Sequence, residues 1–74
     1  MINFNGKEWR ILEVPPFHAS LKRSDGVYTL GCCDDLTKTI YLNWNLNTKY
    51  FKRVLCHELT HAAMYSYNMD LTYE

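Results

Sequence analysis

The chain has 74 residues, with eight basic and eight acidic side chains and a formal net charge of zero. This length allows one small domain and leaves no room for a second. Because the charges cancel, the composition offers no electrostatic footprint for nucleic acid or an anionic membrane, and neither partner is predicted. Hydrophobic residues at 47% and aromatic residues at 15% indicate a folded chain rather than a disordered one.

In the first third of the chain, the sequence pattern predicts one strand followed by turns. Residues 9–14 are rich in Trp, Ile, Leu and Val and predict a strand, which two consecutive prolines end because neither can donate to a sheet. Residues 17–23 are ambiguous between a loop and a short helix, and His18 within them is interpreted as a loop histidine. The Ser-Asp-Gly sequence at residues 24–26 is a turn signal.

Two further strands are predicted in the middle of the chain, at residues 27–33 and 39–43. A polar connection at residues 34–38 joins them, and so short a link favours an antiparallel hairpin.

A long helix is predicted to begin near Asn47 or Thr48, whose side-chain oxygens can cap the first turn, and to end near Tyr67. Asn68 suits the left-handed residue that follows many helices. Apolar side chains recur at helical spacing, so one arc of the helix is expected to face the core. This arc comprises Phe51, Val54, Leu55, Leu59, Ala62 and Tyr65.

After this helix, Asp70 and Thr72 are good N-cap residues, so a second helix is predicted to start at the C-terminal end. Together the elements predict an α+β fold, in which a small antiparallel sheet packs on one long helix. Residues 1–74 are interpreted as a single domain, and the barely begun second helix indicates that it is C-terminally incomplete.

The cellular location is predicted from what the sequence lacks. Polar and charged residues are spread through residues 1–14, so this segment lacks the apolar core of a signal peptide, and no apolar run is long enough for a membrane span. Cys32, Cys33 and Cys56 are an odd number without a C-x-x-C pair, which indicates reduced thiols. These features predict a cytoplasmic protein without a membrane partner.

The sequence His57-Glu58-Leu59-Thr60-His61 is an H-E-x-x-H motif within the predicted helix. Residues four apart project from one face, so both imidazoles can reach a single divalent ion, and zinc is the predicted metal. Glu58 is rotated about 100° from His57, so it is expected to reach a metal-bound water instead. Zinc lowers the pKa of such a water to about 7, and the carboxylate can pass its proton to a leaving amine. The motif predicts peptide hydrolysis, with Glu58 catalytic and His57 and His61 as metal ligands.

Two other interpretations of the motif stay open. His57 and His61 can be ordinary surface histidines, with Glu58 paired to a basic residue elsewhere, or they can hold a metal without catalysis. Glu58 lies within the apolar arc, where a carboxylate is costly unless a charged or hydrogen-bonding group meets it, and this favours catalysis. Cys56 points away from both histidines on the helical wheel and is interpreted as a packing residue.

Residues 39–43, Thr-Ile-Tyr-Leu-Asn, and residues 54–62, Val-Leu-Cys-His-Glu-Leu-Thr-His-Ala, resemble the compact zinc metallopeptidases of the ImmA/IrrE type and their small relatives in phages and other mobile elements. The resemblance covers about the last half of the chain. It implies that the strand at residues 39–43 borders the cleft, where a substrate backbone can pair with its edge. It also implies a protein substrate inside the cell, with helix-turn-helix repressors among the substrates of known members.

A catalytic zinc ion normally has three protein ligands, and the motif provides two. The resemblance implies that the third is a glutamate on the helix after the active one. Glu74, Asp70 and a residue beyond the end of the chain are the candidates. A rival hypothesis makes the chain a catalytically inactive module or fragment that binds a protein partner along an exposed strand.

Overall fold

The computed structural model describes residues 2–67, which form four strands, one short 3-10 turn and one long helix. The elements are β1 (Ile2–Phe4), β2 (Lys7–Val14), the 3-10 turn (Ala19–Leu21), β3 (Gly31–Asp34), β4 (Thr39–Asn43) and α1 (Thr48–Ser66). The α+β class is confirmed, because the sheet packs on the one long helix. The predicted start of a second helix lies outside the described residues. Within residues 2–67, no helix has the length and apolar character to cross a bilayer.

The sheet is mixed, with strand order β1-β2-β4-β3. β1 and β2 are antiparallel, as are β3 and β4, but the central pair β2 and β4 is parallel, with Ile11 opposite Ile40. The predicted antiparallel sheet is therefore wrong at its centre. Parallel strands need a long crossover connection, and residues 15–38 provide one, since the 3-10 turn and β3 both lie between β2 and β4 in the chain.

An N-terminal hairpin, which was not among the predicted elements, adds β1 to the sheet. Its two-residue loop is Asn5-Gly6, and both residues have positive φ, 53° and 80°. A type I′ turn requires this left-handed backbone, which asparagine tolerates and glycine adopts without a steric penalty. The turn signal was present in the sequence, and pairing with β1 extends the predicted strand at residues 9–14 back to Lys7.

The segment before β3 binds to the 3-10 turn instead of extending the strand. Residues 27–30 were predicted as strand, but they precede β3, and the Thr29 N–H donates to the Leu21 carbonyl at 2.8 Å. The ambiguous segment around the turn proves to be a short helix. His18 caps it from the preceding loop, because its Nδ1 accepts a hydrogen bond from the Ser20 N–H at 3.1 Å.

The predicted long helix is confirmed at both ends. The Asn47 side-chain oxygen accepts a hydrogen bond from the Tyr50 N–H at 3.0 Å, which caps the first turn. The helix ends at Ser66, and Tyr67 is its C-cap residue. The prediction for Asn68 lies outside the described residues.

The core lies between the sheet and the apolar face of α1. Its fully buried side chains are Trp9, Ile40, Leu42 and Ala62. The Trp9 Nε1–H donates to the Ser66 Oγ at 2.7 Å, and the Asn5 side-chain amide donates to the Ser66 carbonyl at 3.0 Å. These two bonds tie the C-terminal end of α1 to β2 and to the N-terminal hairpin.

Candidate active site

The H-E-x-x-H motif lies within α1, as predicted. Because residues four apart are one helical turn from each other, His57 and His61 share a face of the helix. Their Nε2 atoms are 3.1 Å apart, and the rings meet edge to face with centroids separated by 4.7 Å. The structure therefore brings the two predicted ligands together.

The separation of these nitrogens fits shared coordination of a metal ion. Two nitrogens that each lie about 2.0–2.1 Å from one zinc ion at a tetrahedral angle are about 3.3 Å apart. A hydrogen bond between two neutral rings has a similar length, so the distance suits either arrangement. Burial, and to a lesser extent the charge of His57, lower the pKa of His61, which favours the neutral imidazole that a metal ligand requires.

Glu58 is the buried member of the motif. The residue is 8% exposed, and burial raises the pKa of its carboxyl, while the charge of His57 opposes that shift. No ion pair within residues 2–67 includes Glu58. Within these residues, therefore, no basic side chain forms the ion pair that the structural interpretation of Glu58 requires.

A cavity of about 350 Å³ lies between α1 and the segment that leads into β3. Its walls are formed by Thr29, Leu30, Gly31, Arg53, Val54, His57 and Glu58. Because His57 and Glu58 both line it, the carboxylate borders a space that water and part of a substrate can enter. Such a cavity with a few convergent polar groups is the usual form of a binding site.

Gly31 allows the close approach of β3 to the helix at this point. A Cβ atom there would lie 2.6 Å from the Val54 Cγ1 atom and 3.3 Å from the Glu58 Oε2 atom. A larger residue would therefore push the helix away from the strand. The sequence carries a signal for this position, since a glycine within a predicted strand often marks the close approach of another element.

The edge strand beside α1 is β3, not β4. β4 is paired on both sides, with β2 and with β3, so its backbone has no open edge. The implied role of residues 39–43 as the strand that meets the substrate is therefore wrong. β3 lies at the edge of the sheet and packs against α1, because the parallel pairing of β2 with β4 leaves it the outer position.

The cysteines do not join the two histidines in a metal-binding group. Cys33 packs against the core, where burial, followed by the charge of Glu58, raises its thiol pKa to about 12. Burial, followed by the charge of Glu58, also raises the pKa of the Cys32 thiol. Cys56 is exposed, so its interpretation as a packing residue is wrong: it lies on the solvent side of α1.

Residues 2–67 contain no group of three or more His, Cys, Asp or Glu side chains that could hold a metal ion. The candidates for the third ligand, Asp70 and Glu74, lie outside the described residues. The described part of the chain thus contains two candidate ligands and one candidate base. Arg53 also lines the cavity and was missed, although its spacing of four residues before His57 is a signal for a shared helix face.

Comparison with known proteins identifies no relative. The chain matches no family profile, no curated protein and no solved structure. The resemblance to the ImmA/IrrE-type metallopeptidases stays a prediction, which rests on residues 39–43 and 54–62.

Proposed function

We propose that the chain is a zinc-dependent metallopeptidase domain that hydrolyses a peptide bond of a cytosolic protein. His57 and His61 are the proposed metal ligands, and Glu58 is the proposed general base. The observation that carries the proposal is their arrangement on one helix: two imidazole nitrogens 3.1 Å apart beside a buried carboxylate that lines a cavity. A pair of surface histidines does not require a buried glutamate, whose desolvation costs free energy.

The proposed chemistry divides among these three side chains. A zinc ion held by the two histidines would act as a Lewis acid toward the substrate carbonyl and would make a water more acidic. The helix backbone holds the two imidazoles one turn apart on the same face. Glu58 accepts a proton from the attacking water and donates it to the leaving amine, and the raised pKa of its carboxyl suits both steps.

The open edge of β3 also supports the proposal, because the backbone of a substrate can pair with it. β3 is one of the two edge strands of the sheet within residues 2–67 and packs against the motif helix. An extended peptide can therefore add to this edge as a further strand and reach the cavity. The family resemblance implies a protein substrate, with a helix-turn-helix repressor as one class. The formal net charge of zero separately predicts no direct contact with nucleic acid or an anionic membrane.

A second candidate function is that of a catalytically inactive module, which binds a protein partner along the same edge of β3. The observation that favours it is the lack of a third metal-ligating side chain beside the histidines within residues 2–67. The two candidates differ in metal affinity, because only the enzyme requires a tightly held ion.

Metal analysis tests the proposal. Protein purified without added zinc should contain about one zinc ion per chain, Glu58→Gln should retain it, and His57→Ala should lose most of it. Lys49→Ala, an exposed change in the first turn of α1, is the matched control. Equal zinc content in wild type and His57→Ala would contradict the ligand assignment. A wild type without zinc would favour the inactive module.

The third ligand can be identified by competition with a chromophoric chelator. If the third ligand is Glu74 or Asp70, changing that residue to alanine should weaken zinc binding by at least about tenfold, the lower limit of what even an outer-shell partner contributes. The unaffected variant of the two then serves as the control. If both variants bind zinc like the wild type, neither residue is a ligand.

A further inference from the structure

Arg53, a cationic residue that the proposed mechanism does not use, is one of the residues that line the cavity. Arg53 lies four residues before His57, so the helix places it one turn toward the N-terminus on the same face. The cavity wall also includes His57 and Glu58. Arg53 is exposed, and no ion pair within residues 2–67 includes it. Its charge is therefore available to a ligand.

The other walls of the cavity restrict what this ligand can be. Leu30 and Val54 are apolar, and the Thr29 hydroxyl already lies within hydrogen-bond distance of two backbone carbonyls, at 2.9 and 3.1 Å. The carboxylate of Glu58 repels an anion, so an anionic group is disfavoured in the part of the cavity beside it. An anion is thus favoured at Arg53, and a methylene stem attached to it can pack on the apolar side chains.

We propose that Arg53 is a specificity-determining residue that binds a carboxylate of the substrate in this cavity. The inference rests on the proposed function, in which the susceptible peptide bond lies beside His57 and Glu58. A guanidinium recognises a carboxylate through two parallel N–H···O bonds, a geometry that lysine does not reproduce. The carboxylate has two possible sources, a glutamate side chain, whose methylenes would contact Leu30 and Val54, and the C-terminus of the substrate.

Matched hydroxamates test this inference without depending on turnover. Zinc-loaded protein is titrated by calorimetry with N-acetyl-glutamyl hydroxamate and N-acetyl-glutaminyl hydroxamate, which share a zinc-binding group and size but differ in charge. We expect the glutamyl compound to bind the wild type about tenfold more tightly, the equivalent of one charge-assisted hydrogen bond. Arg53→Gln should reduce this ratio to about one, and Arg53→Lys should retain part of it.

Lys52→Gln is the control variant, because it removes the same charge from a neighbouring exposed position that does not line the cavity. It should leave the ratio unchanged. A second pair of compounds distinguishes the two sources of the carboxylate: a dipeptide whose N-terminus carries a hydroxamate-bearing acyl group and whose C-terminus is free or amidated. A preference that depends on Arg53 in either pair supports the inference and identifies the source.

Two outcomes would count against these assignments, and they can be told apart. If the wild type shows no preference for the charged compound in either pair, or if Arg53→Gln retains the preference, the role of Arg53 is overturned and the proposed function stands. If the wild type neither retains zinc nor binds any hydroxamate, the proposed function is overturned, and the inference that rests on it is overturned as well.

Discussion

The middle and the C-terminal end of α1 both contain a buried polar side chain, but within residues 2–67 only the one at the C-terminal end has a hydrogen-bond partner in the core. At the C-terminal end, Trp9 and Ser66 are both 0% exposed and satisfy each other through a 2.7 Å hydrogen bond. In the middle, Glu58 is nearly as buried, yet no ion pair within residues 2–67 meets its charge, and a cavity lies beside it. The first arrangement stabilises the fold. The second places a carboxyl where burial disfavours its charged form, an arrangement that costs stability and is common at functional sites.

The largest expected effect on stability is at the C-terminal end of α1, where Trp9 packs. Trp9→Ala should reduce the free energy of unfolding by about 3–5 kcal/mol, because it removes the largest core side chain and leaves a cavity. A domain of this size has little more stability than that, so the variant should show no cooperative transition in urea. Trp44→Ala, at a residue 55% exposed, is the control and should change the unfolding free energy by less than about 0.5 kcal/mol. Similar urea midpoints for the two variants would contradict the role of Trp9.

A smaller effect is expected where β3 meets the helix. Gly31→Ala should lower the free energy of unfolding by about 1–3 kcal/mol, because the added Cβ atom overlaps the Val54 Cγ1 atom. Val54→Ala removes that atom, so the double variant should be more stable than the sum of the two single changes predicts. Urea unfolding of all four proteins measures this coupling. Strict additivity would show that the clash is relieved elsewhere.

The hydrogen bond between the Trp9 Nε1–H and the Ser66 Oγ can be tested separately from the packing of Trp9. Ser66→Ala should cost about 1–2 kcal/mol, because it leaves the buried Trp9 N–H without its acceptor. Trp9→Phe removes the donor, so the two changes together should cost less than their sum. Additive losses in urea unfolding would show that the bond contributes little and that packing dominates.

The smallest expected effect on stability is at the motif. In metal-free protein, Glu58→Gln should leave the free energy of unfolding unchanged or raise it by up to about 1 kcal/mol, because it removes a buried charge. Glu13→Gln, on an exposed position of β2, is the control. Thermal unfolding measures both. A fall of several degrees for Glu58→Gln alone would reveal a structural partner and remove the contrast between the two parts of α1.

The parts of the fold that could be predicted depend on neighbours in the chain. The helix boundaries were predictable because the Asn47 cap and the apolar period are local signals. The loop at Asn5 and Gly6 carries an equally local signal, so the N-terminal hairpin was also predictable from the sequence. The order of strands was not, because adjacent strands in the chain need not be adjacent in the sheet.

The sequence by itself determined that His57 and His61 share one face of a helix and that Glu58 turns toward the apolar side, because the 3.6-residue period alone sets both directions. Only the tertiary structure decided that β2 and β4 pair in parallel, that β3 becomes an edge strand, and that Gly31 and Arg53 line the same cavity as His57 and Glu58. These outcomes depend on how residues 15–38 cross over and pack. Packing between distant segments is decided by the whole core and leaves no local pattern in the chain.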